Sequence, residues 1–257
     1  MTPPEPATGG GAHGPGADSG GVPWAGRTLT ASPFAGDDGG ADARVVAALE
    51  GRDATGPAAV VAALAGTRVF VPVVAVSAGE QASPLTGVAS DTGADMAVVT
   101  LTAPDGRRAM PVFTSTAALA AWDAAARPVP VGVERAALSA AGEGCAMLVV
   151  DAAGERPLVV PRPAVEALAQ QRPWVPSWER SDVAAAVRAA AEVEPAVRTA
   201  AVERGRRAES AVVLALEPGL DRPAVDALLQ RVQSRLAASP VVAEGVDSLE
   251  LRLVPAG

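Results

Sequence analysis

Met96-Ala97-Val98-Val99-Thr100-Leu101-Thr102, then Pro104-Asp105-Gly106, then Arg108-Ala109-Met110-Pro111-Val112-Phe113, reads as two strands joined by a tight turn. Val, Thr and Phe favour extended, half-buried backbone. Pro-Asp-Gly supplies a preset φ, a carboxylate that bonds its own backbone, and a residue at ease with positive φ. The expectation is a hairpin. Thr114 or Ser115 caps the next helix, which carries Leu119 and Trp122 three residues apart on one face. The plan then repeats. Residues 134–140 form a short helix ending near Gly142, 145–150 an apolar strand, 151–155 a turn and 158–160 a returning strand, and Pro163 opens a helix through Val165 and Leu168. Two hairpins, each followed by a helix, predict an α+β unit with a mainly antiparallel sheet and covering helices. Phe70, Val112, Phe113, Leu119, Trp122, Leu148 and Val150 are expected to share one core.

Upstream, the β-branched run 68–76 predicts a mostly buried strand, and Pro72 within it predicts an edge position or a bulge. Val45, Val46, Ala48 and Leu49 support a helix ended by Gly51, and 57–64 a second helix stopped by Gly66. Residues 77–93 read as a long polar loop. Residues 1–42, rich in Gly and Pro, read as a disordered tail dispensable for folding.

Downstream, the N-terminal unit spans 43–171, and Arg172-Pro173-Trp174-Val175-Pro176-Ser177-Trp178 is a Trp/Pro linker over 172–178. A smaller α/β unit follows over 179–257. Residues 182–191 predict an Ala-rich helix, 196–202 and 210–216 two strands, 221–238 a helix and 249–253 a strand. Val225, Leu228, Leu229, Val232 and Leu236 repeat at helical spacing, while Leu249-Glu250-Leu251-Arg252-Leu253 alternates as a strand with one wet face. The order α-β-β-α-β resembles part of a ferredoxin-like sandwich.

Several of these pieces together resemble one family. They are Val69-Phe70-Val71-Pro72, Asp95-Met96-Ala97-Val98-Val99, Met110-Pro111-Val112-Phe113-Thr114-Ser115 with Trp122 one helix later, and the hairpin around Met147-Leu148-Val149-Val150-Asp151. This set is similar to the N-terminal domain of SseB-family proteins, known from an enhanced serine-sensitivity phenotype. The resemblance covers residues 44–170, and the region after Trp178 resembles the family's more variable C-terminal domain. It implies an intracellular bacterial protein of mixed α/β fold, and it carries over no reaction and no catalytic residues.

Composition narrows the chemistry. All 21 basic residues are Arg, so mechanisms that need Lys are closed; one His (His13) and one Cys (Cys145) argue against a Ser-His-Asp triad, a Cys-His pair and a Cys/His zinc site. His13 lies in the tail, and Cys145 reads as a buried, inert thiol. A net charge of -8 argues against nucleic acid or an acidic membrane surface as partner. No signal peptide and no apolar span are visible, which makes the cytoplasm the expected compartment. Asp91 and Asp95 read as solvated loop acids rather than a cation site, Asp105 as a turn former and Asp151 as a strand end. Neither a cofactor nor a metal is expected.

Two features remain as candidate binding residues. Arg204, Arg206 and Arg207, with Arg198 nearby, form the only local basic cluster, and Trp174 and Trp178 place two of the four Trp residues in a Pro-containing connector. The leading expectation is a non-enzymatic adaptor or regulator acting through contacts with another protein, homo-oligomerisation included. The alternative is a metabolite-binding protein or weak enzyme linked to serine metabolism. An acidic pocket with an Arg would favour the alternative, and a flat apolar patch at the Trp pair the adaptor.

Overall fold

The computed structural model describes the backbone of residues 33–77 and 94–255, and the side chains of 33–74 and 97–255. Tail residues 1–32 and most of the expected loop, 78–93, lie outside the described residues. The N-terminal unit runs α1 (Ala43–Thr55), α2 (Pro57–Leu64), β1 (Arg68–Ser77), β2 (Ala94–Val98), β3 (Leu101–Thr102), β4 (Arg108–Val112), α3 (Thr116–Trp122), β5 (Arg127–Gly132), α4 (Val133–Gly142), β6 (Met147–Val150), β7 (Leu158–Val160) and α5 (Arg162–Ala169). The Pro104-Asp105-Gly106 turn forms as expected, Gly106 donating to the Ala103 carbonyl at 2.9 Å with φ of 84°. The hairpin, however, is shorter than expected: only Leu101 and Thr102 of β3 pair antiparallel with β4, and Met96–Val98 belong to β2, which pairs with β1 in the other sheet. Ser115 caps α3, its hydroxyl accepting from Ala118 N at 3.0 Å.

Four expectations are corrected. The first is α1, which continues through Gly51 and ends at Gly56, whose φ of 77° suits glycine and whose N–H bonds the Arg52 carbonyl. Gly51 costs about 1 kcal/mol inside a helix, which is not enough to stop one. The second is Pro72, which sits in the central strand of the sheet β2-β1-β5 rather than at an edge. Phe70 exchanges both backbone hydrogen bonds with Phe113, so by strand alternation Pro72 turns its missing donor to the same side, where β2 has already ended at Val98. Third, β5 was not foreseen. Its Pro128 and Pro130 lie opposite Pro72 and Phe70, and on an edge strand their absent N–H groups face outward.

The fourth concerns the core. Val112, Leu148 and Val150 belong to a large cluster between the sheets and α1, α2, α4 and α5. Phe70, Phe113 and Leu119 form a second, smaller one with Trp122 half-buried against Phe113, ring centroids 5.4 Å apart. The second sheet has the order β3-β4-β6-β7, in which β4 and β6 run parallel. Of the seven strand pairs among the described residues, five are antiparallel, so the fold is α+β with mixed sheets of mainly antiparallel type.

The N-terminal boundary also moves. Residues 33–42, read as tail, pack on the first unit: Arg68 grips Asp37 at 2.6 and 2.9 Å and donates to the Gly40 carbonyl, while Thr116 N bonds the Gly39 carbonyl.

After a 3-10 turn (Ser177–Glu179), the C-terminal unit runs α6 (Ser181–Ala191), β8 (Val197–Arg204), β9 (Ser210–Leu216), α7 (Arg222–Ala237), α8 (Pro240–Gly245) and β10 (Leu249–Pro255). It keeps the expected α-β-β-α-β order with α8 added, and its sheet has the order β10-β9-β8. The helical stripe is seen in part: Leu228, Val232 and Leu236 are buried, whereas Val225 and Leu229 are partly so. Among the described residues no helix is long and apolar enough to cross a membrane.

Candidate functional site

The connector brings both tryptophans between the two units. Pro173 and Pro176 flank Trp174, whose ring packs half-buried on the large N-terminal core and whose indole N–H meets no acceptor among the described residues. The Ser177 hydroxyl meets that of Ser210 at 2.5 Å, both fully buried, which ties the connector to β9. This fixes Trp178 beside the end of β8, where the Arg204 guanidinium lies over its ring at 5.9 Å. The geometry is that of a cation–π pair.

Charge pairing clamps the units together around Asp247. Arg107 follows the first hairpin turn, donating to Asp105 at 2.7 Å and to both oxygens of Asp247 at 2.9 and 2.8 Å. Asp247, immediately upstream of β10, also accepts from Arg162 N at 3.2 Å, and Arg162 donates to the carbonyls of Ala243 and Val246. Glu209 takes the Asp247 N–H at 2.6 Å, and burial pushes its carboxyl above the usual range. Asp105, Asp247 and Glu209 are therefore already engaged.

What remains open is a cleft of about 450 Å³. One wall carries Pro104, Val159 and Pro161 of the N-terminal unit; the other carries Trp178, Arg204 and Arg207, with Trp174 between. Val159 is 52% exposed, an apolar side chain left to solvent on the cleft wall. Arg204 and Arg207 have no carboxylate within ion-pair distance among the described residues. Of the five expected binding residues, Trp174, Trp178, Arg204 and Arg207 converge here. Arg206 does not line the cleft; it sits in the β8–β9 turn with its N–H on Glu250 at 2.9 Å. Arg207 N bonds the same carboxylate at 3.0 Å. Gly205 makes that turn: a Cβ there would collide with the Ala208 carbonyl. Arg198 is drawn away to Glu217 at 2.8 Å.

The other singled-out residues stay apart from the cleft. Cys145 is buried in the N-terminal core, and burial raises its thiol pKa. Asp91 and the side chain of Asp95 lie outside the described residues, as does His13. Among the described residues no three His, Cys, Asp or Glu side chains come together as a metal site. Arg107, Glu209 and Asp247 form the frame of the cleft and were not foreseen, because nothing in the sequence announces a pair 140 residues apart.

No curated protein and no solved structure matches the chain. A family model does: residues 42–167 match the SseB protein N-terminal domain. That stretch ends inside α5, before the connector, so the tryptophans and the C-terminal unit lie beyond it. It begins at the capping Asp42 and spans both N-terminal sheets. The N-terminal unit of this chain belongs to the SseB family as an SseB protein N-terminal domain.

Proposed function

We propose that the protein is a non-enzymatic adaptor that receives a partner protein in the cleft between its two units. One observation carries the reading: two guanidinium groups with no carboxylate partner among the described residues, Arg204 and Arg207, stand beside Trp178 and an exposed apolar wall. Tryptophan and arginine are the side chains most enriched at the energetic centres of protein interfaces. A partner segment carrying a carboxylate would satisfy both guanidinium groups, while its apolar side chains cover Val159 and Trp178. The hydroxyls of Ser177 and Ser210 are buried against each other, so they offer the cleft no nucleophile.

Affinity capture from a lysate of the source cell tests this with four proteins: the parent, Trp178→Ala, the pair Arg204→Glu with Arg207→Glu, and Arg222→Glu on exposed α7 as control. A partner retained by parent and control and lost from both cleft variants is the expected result. Equal capture by all four sinks the cleft reading. An amino-acid thermal-shift panel separates the alternative: stabilisation by serine that the cleft variants abolish would mark the cleft as a metabolite site instead.

A further inference from the structure

We infer that two copies of the chain associate through their β10 strands, joining the two C-terminal sheets into one six-stranded sheet. β10 is an edge strand with the chain's last described residue at its end. Its partner β9 runs parallel to it, with Leu249 opposite Ser210, and Ser210 N donates to the Ser248 carbonyl. In a parallel ladder this directs the even-numbered residues of β10 toward β9. Leu249, Leu251 and Leu253 therefore turn their N–H and C=O groups to the open edge. Among the described residues no strand pairs with that edge, and Leu253 and Val254 are 43% and 41% exposed. A long edge of this kind invites a further strand. The opposite edge of the same sheet is blunted, since Glu192 takes the Ala200 N–H at 3.3 Å.

The occupant follows from register and charge. An added antiparallel strand must hydrogen-bond to the odd residues, and a two-fold axis must pair residue with residue. Centring the axis on Leu251 meets both conditions: Leu251 faces its own copy and Leu249 faces Leu253. Glu250 then lies directly opposite Arg252 of the second copy, twice over. Centring it on Glu250 or on Arg252 also respects the hydrogen bonding but sets like charges face to face, which is unfavourable on neighbouring strands. Leu249 and Leu251 pack toward the helices, so the pairing keeps both helical layers on one face and continues the leucine row between copies. Such an interface is isologous and closes at two copies. Arg252 stands on this self-complementary row: its Nη2 donates to Glu203 of the same chain, and its Nε is buried without an acceptor among the described residues.

Sedimentation equilibrium of the full chain tests the proposal. Parent protein is expected at twice its 25.5 kDa mass. Leu251→Pro removes an N–H that faces away from β9 and has no partner among the described residues, so it is expected to keep the fold and give a monomer. Arg252→Glu sets acid against acid and should raise the dissociation constant about tenfold or more. Adding Glu250→Arg to it restores the opposite pairs across the axis, and with them the dimer. The intrachain bonds of both residues are lost in that double variant, so rescue reports the interface and not the fold. A monomeric parent overturns the proposal, as does a dimer indifferent to all three variants. Should Leu251→Pro fail to fold, loss with Arg252→Glu and rescue by the swap decides alone.

Discussion

The carboxylate of Asp151 holds Thr114 at two points, accepting from its backbone N–H at 2.9 Å and from its hydroxyl at 2.8 Å. Asp151 closes β6 with φ of 51°, a left-handed conformation that Asp and Asn tolerate better than most residues. Thr114 lies two residues beyond the end of β4, closing the Met110-Pro111-Val112-Phe113-Thr114 run. The bond thus pins the ends of two parallel strands that no tight turn could join.

That lock has a ranked cost. Asp151→Asn keeps the backbone tolerance and one acceptor, and should destabilise by about 1 kcal/mol. Asp151→Ala loses both bonds and adds left-handed strain, for about 2–4 kcal/mol. Urea midpoints check the order; equal losses would mean that the carboxylate does not hold Thr114.

Arg107 and Asp247 couple the two units. Asp247 is only 8% exposed, so Arg107→Ala leaves its charge short of a counter-ion, at a cost of about 1–3 kcal/mol. The single urea transition should broaden or split, with faster proteolysis in the connector. An unchanged, single transition would place the coupling elsewhere.

Residues 33–42 contribute to stability through Asp37. The Arg68 hydrogen bonds hold its carboxyl below the usual range, and both side chains are less than one-fifth exposed. Asp37→Asn should cost about 1 kcal/mol, a fall in Tm of roughly 2–4 °C for a chain of this size. A deletion of 1–42 that leaves Tm unchanged would contradict the contact.

Glu194 sets an acid limit in the C-terminal unit. Hydrogen bonds from Arg231 and Arg235, each as short as 2.6 Å, hold its pKa down from 4.5 to about 2. A folded pKa below the unfolded one means that the stabilisation is complete above about 4.5 and lost as pH falls toward 2. Glu194→Gln should therefore cost about 1–2 kcal/mol at pH 6, discounted for partly solvated arginines, and about a quarter of that at pH 2.5. A gap that stays constant with pH would refute the charge origin.

Local chemistry made much of the fold legible. β9 begins and ends where its apolar run does, at Ser210–Leu216, and α7 follows its leucine and valine stripe between the capping Asp221 and Ala238. The Pro-Asp-Gly turn and the Ser115 cap are bonds within four residues, which a short stretch specifies alone. β5 was hidden because Pro128 and Pro130 erase the local strand signal. Only its place on a sheet edge makes those prolines harmless. Trp174 and Trp178 were legible as a tryptophan pair in the connector; that Arg204 and Arg207 stand beside them was not, since the β8–β9 turn that carries Arg207 is held by Glu250, whose carboxylate takes the N–H groups of Arg206 and Arg207 from 44 and 43 residues along the chain.

The sequence by itself determined the turns, the caps, the amphipathic faces and the short list of chemistry available to a chain without Lys and with one His. Tertiary structure alone decided that β4 and β6 run parallel, that Pro72 is central, and that Arg107 meets Asp247 across two units. The division is physical. Local features depend on backbone sterics and neighbouring hydrogen bonds, which act within a turn or two of chain. Pairings between distant residues offset their loop-closure entropy only when the packed cores hold both ends in place.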